Sequence, residues 1–189
     1  MSNILKELGG SIIDADIIAR EIVKPGHHIL RTIVKEFGPP VLNKDGTLNR
    51  KALGKIVFND KDKLNRLNSI THPEIKKVIM QEIDSLKNIN PNDIIIIDAA
   101  VLLESGMDCL CDKVWLVYTE PMTQLIRLMK RDCITEDEAI NRINSQLPID
   151  KKLEIVKRLG GDIIYNTGDI EDTKRQVASL WRLRCINME

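Results

Sequence analysis

A chain of 189 residues with 43% hydrophobic and 30% charged residues can bury one sizeable core and has the composition of an ordinary globular protein. Lys plus Arg and Asp plus Glu both number 28, and aromatic residues stand at 3%. A chain so balanced and so poor in stacking side chains argues against nucleic acid or an anionic membrane as partner. No apolar run nears the ~20 residues of a membrane span, and MSNILKELGG has no basic start leading into an apolar signal segment, so a cytoplasmic protein is expected.

In chain order, Ile4, Leu5 and Leu8 recur at helical spacing and Gly9-Gly10 ends that turn. Ser11-Ile12-Ile13 is a short apolar stretch running into Asp14-Ala15-Asp16, from which a helix continues to Pro25-Gly26. Residues 27–90 read as a helical region, with HHILRTIVKEFG first and a turn at NKDG, 43–46. NRKALGKIVF, DKDKLNRLNSI and HPEIKKVIMQEIDSL follow as three separate helices. Thr71 and Glu74 have capping-box spacing, with Pro73 in the first turn of the helix they would start.

The pattern then changes. Residues 93–98, 114–118 and 162–166 are runs of branched and aromatic side chains that predict three strands buried on both faces. Between the last two, Met122, Leu125, Ile126 and Met129 follow a helical period, and Thr135 with Glu138 forms another capping box ahead of Ile140, Ile143 and Leu147. An amphipathic helix over 170–185 closes the chain. Strands alternating with helices predict an α/β protein with a parallel, helix-covered sheet in one domain over 1–189. Cys109, Cys111, Cys133 and Cys185 carry no paired C-x-x-C and the three histidines no zinc spacing, which favours free thiols over a metal or disulfide framework.

Several short motifs follow one another at fixed intervals: LKELGGSIIDADIIAREIV at 5–23, the FG…G-x-LNRKALGKIVF block at 37–58, LNSITHPEI at 67–75, LLESGMD at 102–108, KRD at 130–132, RINSQ at 142–146 and DIIYNTGD at 162–169. In order and spacing they resemble dephospho-CoA kinase, a P-loop kinase that uses ATP to phosphorylate the ribose 3′-hydroxyl of dephospho-CoA. The resemblance implies a three-layer P-loop NTPase-like sheet, a helical CoA-side region near 27–90, a lid near 120–147, and ATP with Mg²⁺ as phosphate donor.

It also implies roles for single residues. Asp16, the second acid of Asp-Ala-Asp, would be the general base beside the acceptor hydroxyl; a helix N-terminus favours carboxylates in any case, and that plainer reading suits Asp14. Arg20, one helical turn on, would hold substrate phosphate or simply pair with Asp16. His72 of the His-Pro pair would lie on the substrate side or serve the helix start, and Glu104 would line the CoA side. Asp98, closing a hydrophobic strand, stands where Walker-B-type acids hold Mg²⁺ through water. Arg127, Lys130 and Arg131 share a helix face; Arg131 matches a lid arginine, against the alternative of a solvated basic face. Arg142 and Gln146 would reach the nucleotide and Asn166 would sit beside adenine.

The family's phosphate-binding loop, G-x-x-x-x-G-K-[ST] after a first strand, does not occur in these residues. The expectation is therefore a chain lacking its first strand and loop through a mis-set start, inactive or weak as written. The alternative is a non-catalytic relative that binds CoA or a partner; a third reading is another small-molecule kinase of similar architecture.

Overall fold

The computed structural model describes residues 1–58 and 60–186. In chain order they form α1 (Ser2–Glu7), β1 (Ser11–Asp14), α2 (Ala15–Glu21), α3 (His28–Phe37), α4 (Arg50–Val57), α5 (Lys61–Ile89), β2 (Ile95–Asp98), β3 (Trp115–Tyr118), α6 (Pro121–Asp132), α7 (Glu136–Asn144), α8 (Ile149–Arg158), β4 (Asp162–Tyr165) and α9 (Ile170–Ile186). They fall into two compact units: Ser11–Ser105, and Met1–Gly10 together with Gly106–Glu189.

In the first unit β1 pairs in parallel with β2, from Ser11 opposite Ile95 to Asp14 opposite Asp98. The Ser11 hydroxyl donates to Asp93 at 2.5 Å and fixes that register at its start. Ile13, Ile33, Val57 and Ile79 are at most 2% exposed and form the core that α2, α3, α4 and α5 cover. The expected turn at 43–46 is present. Asp45 accepts from the Thr47 amide and hydroxyl, and Gly46 takes φ +80°, a conformation that costs glycine little. The Thr47 hydroxyl above all, and the Thr47 amide after it, hold the Asp45 carboxyl below its ordinary value.

In the second unit β3 pairs in parallel with β4, from Trp115 opposite Asp162 to Tyr118 opposite Tyr165. Met107, Val156, Ile164 and Val177 are nearly inaccessible, and Leu5 and Trp181 are also buried in this core. Gly161 enters β4 so close to its surroundings that a Cβ there would collide with the Val114 carbonyl and the Val156 side chain. The Thr135–Glu138 capping box is formed in both directions and starts α7, which ends at Asn144, before Leu147.

Four expectations need correction. Ser11–Asp14 is a strand, which its two isoleucines were too few to reveal; its partner β2 supplies what local pattern lacks. The strands form two parallel pairs among the described residues rather than one sheet. With one hydrogen-bonded neighbour each, the strands are not buried on both faces: Ile95–Ile97 are half-buried and Val117 is 39% exposed. Finally, no helix starts at Thr71. α5 runs unbroken through Pro73, capped by Asp60, whose side chain accepts from the amides of Asp62 and Lys63. Thr71 instead donates its hydroxyl to the Leu67 carbonyl one turn back, which leaves it nothing to cap with.

Candidate active site

Within Ser11–Ser105, the acids gather at the carboxyl ends of two adjacent parallel strands, the edge where open α/β sheets present their ligands. Asp14 ends β1 level with Asp98 of β2. Asp14 is also the N-cap of α2 and accepts from the Ile17 amide at 2.9 Å, so the plainer structural reading holds for it. Asp16 follows in the first turn of that helix. It is exposed, and among the described residues it has no hydrogen bond or ion pair. The i,i+4 pair with Arg20 is therefore not formed. Arg20 is instead close enough to Arg50, at the start of α4, to affect it: partial burial first, and the Arg20 charge second, push the Arg50 guanidinium pKa below its ordinary value. Two guanidiniums within electrostatic reach suit a polyanion. Arg50 was not singled out from sequence; its position three residues after Thr47 in the G-x-LNR stretch was the available signal.

His72 lies well inside α5 and is half-buried. Burial lowers its pKa below the ordinary 6.5, and the negative charge of Glu104 opposes that shift. One Glu104 carboxylate oxygen is enclosed by protein. His72 and Glu104 are thus within electrostatic reach of each other. The sequence assigned both to the acceptor side without any means of pairing them.

The remaining candidates lie in the other unit. Arg131, next to last in α6, donates to its neighbour Asp132 through Nε at 2.7 Å and Nη2 at 3.0 Å. Arg142 of α7 donates to the same carboxylate at 2.5 Å. Asp132 thus links α6 to α7. The Arg131 hydrogen bond, and after it the charges of both arginines, hold its carboxyl below the usual range. Gln146 accepts from Lys152 at 3.1 Å. Asn166 uses its backbone for structure: its amide donates to Tyr118, and its carbonyl accepts from the Thr119 hydroxyl at 3.0 Å and Arg127 at 3.2 Å. Its side-chain oxygen accepts only a long bond from Thr173, at 3.4 Å. Arg127 therefore ties α6 to the end of β4, while Arg131 belongs to the Asp132 cluster.

The four cysteines are free. Burial first, then Asp108, Asp112 and Cys109, pushes the Cys111 thiol up to about 11, so it stays protonated and inert at neutral pH. No helix among the described residues is long and apolar enough to cross a membrane.

A sequence model of dephospho-CoA kinase matches residues 1–172. The dephospho-CoA kinase of Carboxydothermus hydrogenoformans is 43% identical over 180 residues, which are 95% of this chain and 85% of that one. That of Moorella thermoacetica is 40% identical, over 96% of this chain and 84% of the relative. Among solved structures, dephospho-CoA kinase from Campylobacter jejuni is similar with a TM-score of 0.64 and 31% identity, over 95% of this chain and 87% of its own. TT1252 from Thermus thermophilus shares the fold with a TM-score of 0.74 at 24% identity, over 96% of this chain and 88% of the other.

Proposed function

The chain belongs to the dephospho-CoA kinase family, and on that premise we propose that it phosphorylates the ribose 3′-hydroxyl of dephospho-CoA at the expense of ATP, with Asp16 as general base. The observation that carries this is the contrast between two acids two positions apart. Asp14 is spent on capping α2, whereas Asp16 stands exposed in the first turn with no partner among the described residues. A sugar hydroxyl is a weak nucleophile; a carboxylate within hydrogen-bond reach orients it and takes its proton as the oxygen attacks phosphorus.

Arg20 and Arg50 would hold the diphosphate of dephospho-CoA, and His72 with Glu104 would line the same acceptor side, within the helical region 27–90. Arg131 and Arg142, on the lid helices of 120–147, would offset the charge of the ATP phosphates, with Gln146 and Asn166 nearer the nucleoside. Asp98 offers the oxygen donor that suits hydrated Mg²⁺. That ion, bound with ATP, would screen the charge of the transferred phosphoryl group.

The Gly-rich cradle for those phosphates is not among the 189 residues, so we propose that this chain as written transfers phosphate weakly or not at all. Phosphotransfer from ATP to dephospho-CoA, followed on this chain and on a version preceded by a strand and G-x-x-x-x-G-K-[ST], tests the proposal. Activity is expected in the longer protein and should fall ~10²- to 10⁴-fold in its Asp16→Asn variant. Full activity in that variant would refute the assignment of the base.

A further inference from the structure

A second cluster lies apart from the acids at the strand ends and serves no step of the proposed reaction. His27 and His28 sit at the start of α3 with their rings stacked, centroids 4.6 Å apart and planes at 26°. Glu74, on α5, faces them: its Oε2 is 3.7 Å from His28 Nε2. One ligand atom from each of the three residues lies within 4.8 Å of the other two. We propose that His27, His28 and Glu74 bind a divalent transition cation of the zinc or cobalt type, which fastens the start of α3 to α5.

The donor chemistry selects the ion. Two imidazole nitrogens and one carboxylate oxygen suit Zn²⁺ or Co²⁺, whereas Mg²⁺ and Ca²⁺ take oxygen donors. The surroundings favour it too. Glu74 is largely buried, its side chain 16% exposed, while His28 is 55% exposed, so the carboxylate is held and the imidazole can close on an ion with little cost to packing. Lys77 engages the other Glu74 oxygen, Oε1, at 3.4 Å, which leaves Oε2 directed to the histidines. A carboxylate oriented by such an outer partner is the usual support of a metal ligand.

One contact opposes binding. His27 Nδ1 accepts from the Ile29 amide at 3.2 Å and so caps α3. A neutral imidazole that ligates through Nδ1 gives up that bond, and one that ligates through Nε2 carries its proton on Nδ1 and gives it up as well. The cap is therefore exchanged for the metal, and binding should be reversible rather than structural in strength.

Titration of the full chain with Co²⁺ in a non-chelating buffer tests this. One equivalent is expected to bind, with visible bands of nitrogen and oxygen ligation and without the near-ultraviolet charge transfer of a thiolate. His28→Ala and Glu74→Gln should each weaken binding at least ~10-fold, and the Cys109→Ser/Cys111→Ser double variant should leave it unchanged. Zn²⁺ should raise the melting temperature of the parent chain but not of Glu74→Gln, whose near-isosteric side chain preserves folding. The inference is overturned by a parent chain without saturable Co²⁺ binding, by binding that survives His28→Ala and Glu74→Gln, or by binding that disappears with the cysteines. It stands independently of the kinase activity, because none of the three residues takes part in the proposed transfer.

Discussion

The two units treat their charged candidates in opposite ways. In Ser11–Ser105, Asp16 and Arg20 form no ion pair among the described residues, and Arg20 is instead within electrostatic reach of Arg50. In the unit of Met1–Gly10 and Gly106–Glu189, Arg131 and Arg142 are both held on Asp132. On the proposed roles, a base must be free to meet its hydroxyl, whereas a lid arginine would act by position, and a shared carboxylate would position two at once. On that proposal, pairing would separate a reacting group from a placed one.

The largest effect that could break this contrast lies at the two acids of α2. In the loop-bearing protein, Asp16→Asn should change the melting temperature little while abolishing most phosphotransfer, whereas Asp14→Ala should cost about 1 kcal/mol of stability through the lost cap. Thermal unfolding and the kinase assay on both variants read the two outcomes, and equal loss of activity in both would erase the distinction. Next in size is Gly161→Ala, where the added methyl meets the Val114 carbonyl and Val156. Chemical denaturation should give a loss of about 1–3 kcal/mol.

A smaller effect probes the hub. Asp132→Asn should change stability by less than about 1 kcal/mol, since the pairs are at the surface. The KM for ATP in the active, loop-bearing protein should rise about fivefold, the equivalent of ~1 kcal/mol. A fall in KM would show that Asp132 competes with the nucleotide instead of placing the arginines.

The most subtle effect concerns His72, whose folded pKa lies below the ordinary 6.5, with burial the main cause. The unfolded chain takes up the proton near that ordinary value while the folded chain resists it. Stability contributed by the neutral ring is therefore complete above pH 6.5 and declines as the pH falls towards the lower folded value. The melting temperature should drop between about pH 7.5 and about pH 5.5 by less in His72→Gln than in the parent.

What sequence revealed depended on how local the cause was. The Thr135–Glu138 box was legible because both bonds are made within one turn. The same spacing at Thr71 misled, because a helix already capped at Asp60 had no end there to cap. β1 was hidden because four residues hold too little pattern, and its pairing with β2 is a long-range fact. Asp16 stood out as a candidate through the Asp-Ala-Asp motif; its lack of an ion pair with Arg20 was not legible, since spacing permits such a pair without compelling one. Asp132 was overlooked between its arginines for the converse reason. Its bond to Arg142 joins two helices around a turn, and the residue type alone does not announce a hub. The His27–His28–Glu74 cluster likewise needs α3 and α5 together.

Pro73 sits inside the 29 residues of α5. Without an amide hydrogen it cannot donate to the carbonyl of Ser69, so the ladder of that helix is interrupted one residue after His72. Deuterium uptake along α5 should accordingly show two protected stretches with a faster-exchanging seam between them, so that the segment carrying His72 can open without unwinding the half anchored by Ile75 and Ile79.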